Sequence, residues 1–208
     1  LLPRMPPSGA AVVPSAMLRI ADARRRMLKF TEADAAIVIA EHILSRNGTS
    51  DTRRLALGKA SLSFERGRLQ EAMNLVEAAE HLPADPCDPM AGADLAYRRA
   101  TIHMIRREVA EARLAFGQSI ARVEALGLQR NPRYAEGIAG LAMTSGLAGE
   151  FDKADQLFAR AAAAYRASFG RVSSAEVQTM LEQAYALSIG GQSQRAIEIA
   201  RAAMALLN

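Results

Sequence analysis

The stretch LAGEFDKADQLFARAAAAY, residues 147–165, returns in looser form as SIGGQSQRAIEIARAAMALL, residues 188–207. Each copy has a glycine, an alanine five residues later, and small or apolar residues four and seven positions beyond that alanine. Aligning the chain on this marker alanine finds it five times, as Ala33, Ala72, Ala112, Ala154 and Ala196, at separations of 39, 40, 42 and 42 residues. Three residues before the marker stand Phe30, Leu69, Val109 and Phe151, with Ser193 the exception. Four after it come Ile37, Val76, Phe116, Phe158 and Ala200, and seven after it Ala40, Ala79, Ser119, Ala161 and Ala203. Twelve before it the residue is always alanine: Ala21, Ala60, Ala100, Ala142 and Ala184.

That last column has a geometric reading. Alanine on both sides of a turn suits two antiparallel helices whose backbones approach closely, since a larger residue at either point would overpack the contact at a cost of about 1–3 kcal/mol. Recurrence at a fixed period means a solenoid, each helical pair burying its face on the next. Composition agrees: half of the 208 residues are apolar, yet only 5% are aromatic and none is tryptophan. An interior of Ala, Leu, Ile and Met favours helices, because alanine is the best helix former and loses no side-chain entropy. No long run alternates apolar with polar residues, so strands are not expected.

The pattern resembles the tetratricopeptide repeat (TPR). The small residue late in the first helix, the turn glycines Gly67, Gly149 and Gly191, and the alanine/apolar/small triplet of the second helix carry the resemblance over roughly residues 15–207. The spacing of 39 to 42 is longer than the usual repeat and similar to the kinesin-light-chain type and to bacterial TPR arrays. Leu28 and Arg107 stand where glycine is usual, and the early aromatic of the first helix is missing. HEAT-like repeats share this length; the turn glycines and alanine columns favour TPR. The resemblance implies an all-α, right-handed superhelical solenoid of about five antiparallel helix pairs.

Breaks in the pattern divide the chain into repeats at about 15–46, 51–83, 92–126, 132–168 and 174–208. The connecting stretches SRNGTSDT, LPADPCDPMAG, LGLQRNP and SFGRVSS hold the Gly, Pro, Asn and Ser that stop and restart helices. Asp51 and Ser174 are the expected N-caps. Residues 1–14 read as a proline-rich linker or extended segment, apolar enough to occupy a groove of the chain's own. The apolar last helix lacks a polar cap, so a piece of a larger protein and self-association through the C-terminal face are both expected.

In a TPR-like solenoid the first helices line the concave face. The resemblance places groove-facing residues fifteen, eleven, eight and seven before each marker: Leu57, Ser61, Phe64 and Glu65; Tyr97, Thr101, Met104 and Ile105; Ala139, Met143, Gly146 and Leu147; Leu181, Tyr185, Ser188 and Ile189. Of these, Leu57, Ser61, Phe64, Tyr97, Thr101, Met104, Met143, Leu147, Leu181 and Tyr185 are the expected partner contacts. Their apolar character suits an apolar or amphipathic protein or peptide segment, and no cluster of Lys, Arg and Asn appears there to grip a carboxylate. The expected function is a non-catalytic protein- or peptide-binding module, part of a larger protein. The alternative is a ligand- or peptide-sensing TPR segment of a bacterial transcription regulator or kinase.

The first repeat differs, with a basic patch of Arg19, Arg24, Arg25, Arg26 and Lys29 against Asp22. A net charge of +4 is mild, and no stacking aromatics interleave with these residues, which argues against nucleic acid. Catalytic chemistry has no foothold: His42, His81 and His103 fall in different repeats, and no phosphate loop or nucleophile elbow appears. No metal set and no cofactor motif are read. Cys87, the single cysteine, sits between Asp85 and Asp88 in a proline-rich loop, which excludes an internal disulfide and offers nothing to activate a thiol. No apolar run is long enough to span a membrane; the compartment stays open, with the cytoplasm favoured.

Overall fold

The structure is a computed structural model that describes residues 7–47, 52–84 and 88–207, with side chains from Val13 onward. Among the described residues it holds ten helices and no strand. The chain forms two compact units, residues 1–98 and 99–208, with the boundary inside the fifth helix. The first pair is α1 (Pro7–Arg26) and α2 (Phe30–Arg46), followed by α3 (Arg53–Glu65) with α4 (Leu69–Glu80) and α5 (Ala91–Ile105) with α6 (Val109–Ala125). Next come α7 (Pro132–Leu147) with α8 (Phe151–Phe169), and α9 (Ser174–Ile189) with α10 (Ser193–Ala205). Asp51 and Cys87 lie outside the described residues.

Every pair turns in the same way, and the turn explains the opening motif. The residue five before each marker has positive φ: Leu28 at 58°, Gly67 at 75°, Arg107 at 64°, Gly149 at 79° and Gly191 at 76°. The next residue's N–H reaches back to a carbonyl five positions earlier in all five: Lys29 to Arg24, Arg68 to Ser63, Glu108 to His103, Glu150 to Ser145 and Gln192 to Leu187, at 2.8–3.0 Å. This is a Schellman closure, which satisfies the orphan carbonyls of the first helix. The same residue's carbonyl then accepts the marker alanine's N–H, as in Ala33 to Lys29 and Ala154 to Glu150, so only three residues separate the two helices. Glycine adopts this conformation without steric cost; Leu28 and Arg107 adopt it at roughly 1 kcal/mol.

All fifteen residues of the three small-residue columns are buried, from Ala21, Ala33 and Ala40 in the first repeat to Ala184, Ala196 and Ala203 in the last. Successive repeats then pack by a second register. In the N-terminal unit, Gly58, fourteen before its marker, faces Ile37, four after the previous one, with a built β-carbon 3.8 Å from its Cδ1. In the C-terminal unit Gly140 and Phe116 hold the same two positions. Ion pairs reinforce these junctions from the residue just after the marker: Arg66 to Asp34 at 3.2 Å, Arg113 to Glu150 at 3.0 Å, and Arg195 to Asp155.

Three expectations are corrected. Residues 7–14, read as extended, belong to α1. Pro7 takes the first helical position, where its missing N–H leaves nothing unmet, and Pro14 forgoes a single helical bond. The cap of α9 is Ser173 rather than Ser174, its hydroxyl accepting the Glu176 N–H at 3.2 Å. The α3 cap is Thr52, whose hydroxyl accepts the Leu55 N–H at 3.1 Å.

Candidate functional site

In the C-terminal unit, α7 and α9 are first helices that pack side by side, and small residues set their spacing. A β-carbon built on Gly146 lies 3.6 Å from the Ala186 methyl, so the two backbones run close and the larger neighbours stand outward. Those neighbours are apolar. Leu147 ends α7 at 44% exposure; Leu181 and Tyr185 stand one turn apart on α9 at 38% and 70%, followed by Ile189 at 60%. One helical face thus presents three large apolar side chains to solvent, an arrangement that buried-core spacing alone does not account for. Met143, on the same face of α7, instead packs against the core of Ala142, Ala154 and Phe158 and fills a gap there. Thr101 and Met104 on α5 are half-buried, as is Phe64 on α3.

In the N-terminal unit the corresponding face is more closed. Leu57 and Tyr97 are half-buried, and Phe64 is covered by the Arg98 guanidinium, 4.6 Å from its ring centroid. Ser61, expected as a contact, is buried at 7% exposure and offers no surface: α3 turns this position into its packed side. Ile189, groove-facing by the register though not among the expected partner contacts, is more open than Leu181. Its position, seven before the marker, holds charged Arg26 and Glu65 in the first two repeats but apolar Ile105, Leu147 and Ile189 in the last three, a change readable only once the columns are aligned.

The basic patch is largely neutralised within its own unit. Arg25 bridges Asp22 and Glu65, both at 2.7 Å; Arg26 holds Asp22 at 2.9 Å; Arg24 meets Glu32 at 2.9 Å, with Lys29 3.7 Å from the same carboxylate. Burial pushes the Asp22 carboxyl up, but hydrogen bonds and charge from Arg25 and then Arg26 outweigh it and hold the group below its ordinary value. Arg19 remains exposed. Sequence reading credited this helix with Asp22 alone, because Glu65 arrives from the next repeat, forty residues away.

Among the described residues no group of three or more His, Cys, Asp or Glu could hold a metal ion, and no helix is long and apolar enough to cross a membrane. His103 Nδ1 lies 2.5 Å from Glu108 at the α5–α6 turn, a pair that braces the left-handed Arg107 between them.

The geometry defines a TPR-like helical-repeat fold. Solved structures agree. A structure titled as the Q17M form of a Podosopora anserina putative kinesin light chain with nearly identical TPR-like repeats is similar over 92% of this chain and 93% of its own, with a TM-score of 0.64 at 20% identity. BtubC (BKLC) from P. vanneervenii is similar over 96% of this chain and 88% of its own, with a TM-score of 0.71 at 16% identity. MamA is similar over 90% of this chain and 94% of its own, with a TM-score of 0.59 at 18% identity. No protein-family model matches the chain, and no curated protein is significantly similar to it in sequence.

Proposed function

We propose that this chain is a non-catalytic binding module which holds an apolar or amphipathic segment of another protein on the first-helix face of its C-terminal repeats. The observation that carries this reading is the outward stripe Leu181, Tyr185 and Ile189 beside Leu147. An amphipathic helix recognises such a surface with anchors one turn apart, and tyrosine brings large contact area at low entropic cost. The buried Ser61 and the covered Phe64 make the N-terminal face the lesser contributor. The ion-paired Arg24–Lys29 cluster leaves little free charge for a phosphate backbone. The repeat scaffold and the kinesin-light-chain-like and MamA folds it shares are in keeping with a scaffold role and a cytoplasmic setting.

The test is affinity capture from a source lysate with the wild-type chain and with Leu181→Glu/Tyr185→Glu, shown by circular dichroism to keep its helix. A protein retained by the wild type and lost by the variant supports the reading. Equal capture by both contradicts the placement on α9.

A further inference from the structure

On the last helix, α10, and in the turn just past it, the residues one, eight and eleven past the marker are Ile197, Met204 and Leu207, exposed by 45%, 62% and 66%. Where those positions on earlier second helices hold a large apolar residue, it is covered, as with Met73 one past its marker and Leu44 eleven past its own. Ile120 and Val123 of α6 and Tyr165 of α8 are buried at eight or eleven past their markers. Part of the cover comes from the next repeat's first helix, and the contacts follow a size rule. Phe116 faces Gly140, Ile120 faces Gly137, and Phe151 faces Gly190, each setting a large side chain on a position without one. Counted from the markers, these pair +4 with −14, +8 with −17 and −3 with −6.

The first helix, α1, offers the receiving half of such a junction. Positions −17 and −14 on it are Ala16 and Arg19, position −6 is Met27 just past its end, and both Met27 and the neighbouring Ile20 are exposed. Laid on α10 in the same register, Ala16 opposes Met204, Arg19 opposes Ala200, and Met27 opposes Ser193. Each pair is again large against small, with the large partner on the other side in two of the three. An arginine at −14 has a precedent within the chain: Arg98 holds that position on α5, buried, with its guanidinium over the Phe64 ring. The +1 position, charged in Asp34, Arg113 and Asp155 and apolar in Met73, is Ile197 on α10, and together with Met204 and Leu207 it makes this face the most apolar of the set.

We propose that copies of this chain stack head to tail, the outer face of α10 on one copy seating on the outer face of α1 on the next and reproducing a repeat-to-repeat junction. The contact is heterologous: each pairing leaves one α1 and one α10 face free, so association continues past two copies unless a ring closes.

Light scattering across a concentration series tests this with two variants, Met204→Glu/Leu207→Glu on the tail and Ile20→Glu/Met27→Glu on the head, both checked for helix by circular dichroism. The wild type is expected to rise above the single-chain mass of 22.3 kDa with concentration. Each variant alone stays at one chain, and an equimolar mixture doubles in mass, because the tail variant keeps its head and the head variant keeps its tail. A wild type that stays at one chain, a head variant that pairs with itself, or a mixture that fails to pair overturns the proposal. For a variant that loses helix, hydrogen exchange on the wild type at high and low concentration replaces it. Protection of α1 together with α10 supports stacking, and protection of α10 alone overturns it. Leu181→Glu/Tyr185→Glu keeps the association, which separates this contact from the partner-binding face.

Discussion

A β-carbon on Gly140 of α7 would stand 2.7 Å from Cδ1 of Phe116 on α6, and closer still to the ring carbons beyond. Phe116 is fully buried, and its ring has no room to withdraw in a close-packed interior. The absent side chain of one repeat is therefore the binding slot for the aromatic of the repeat before it. We predict that Gly140→Ala destabilises the chain by about 1–3 kcal/mol, despite alanine's better helix propensity. Phe116→Leu in the same chain should recover part of the loss. Urea denaturation of the two single variants and the double variant measures the coupling, and additive losses would contradict the slot.

The left-handed turn residues predict stabilisation. Leu28 and Arg107 occupy a conformation that glycine holds at Gly67, Gly149 and Gly191. Leu28→Gly should therefore gain roughly 0.5–1 kcal/mol. Arg107→Gly should gain a similar amount, unless the His103–Glu108 contact depends on the arginine. Thermal denaturation checks both, and a drop in Tm for Leu28→Gly would show that its exposed side chain matters more than its backbone.

Acid should loosen the first repeat. The folded Asp22 carboxyl sits below its ordinary value, so its contribution to stability is fully present above the unfolded value of about 3.9 and is lost as pH falls through the folded one. Asp22→Asn should flatten that part of the stability profile while lowering stability at neutral pH by about 0.5 kcal/mol, the scale of a half-exposed ion pair. Denaturation midpoints from pH 7 down to pH 2 test it. An unchanged slope below pH 4 would place the acid sensitivity elsewhere.

The neutralised patch predicts weak polyanion binding. Arg24, Arg25, Arg26 and Lys29 already face Asp22, Glu32 and Glu65, so a single-stranded oligonucleotide should bind feebly and with a shallow salt dependence. Fluorescence anisotropy between low and physiological salt checks this, and a steep fall in affinity would show that the pairs open for phosphate.

The hairpin was legible because its constraints are local. A residue at positive φ, an apolar residue two further on and small residues at fixed offsets recur within one turn, and each has its own steric cause. Ala21 through Ala203 follow from that alone. The junctions between repeats were not legible. Whether Glu65 reaches Arg25, or Gly140 receives Phe116, depends on how one pair sits on the next, some twenty-four to forty residues away. The α1 start was misread because Pro7 and Pro14 are breakers by composition, though the first fits an N1 position. On the candidate face, Tyr185 could be placed by counting, but its openness beside the gap-filling Met143 could not. Ser61 shows the converse, a position in the right column that packing buries.

The surface proposed to meet a partner is α9 with the end of α7. Hydrogen exchange by mass spectrometry on the captured complex tests this most directly. Slowed exchange is expected in residues 143–147 and 181–189, with the second helices unchanged. Slowed exchange confined to α1, or to the outer face of α10, with α9 left as it is in the free chain, would contradict it.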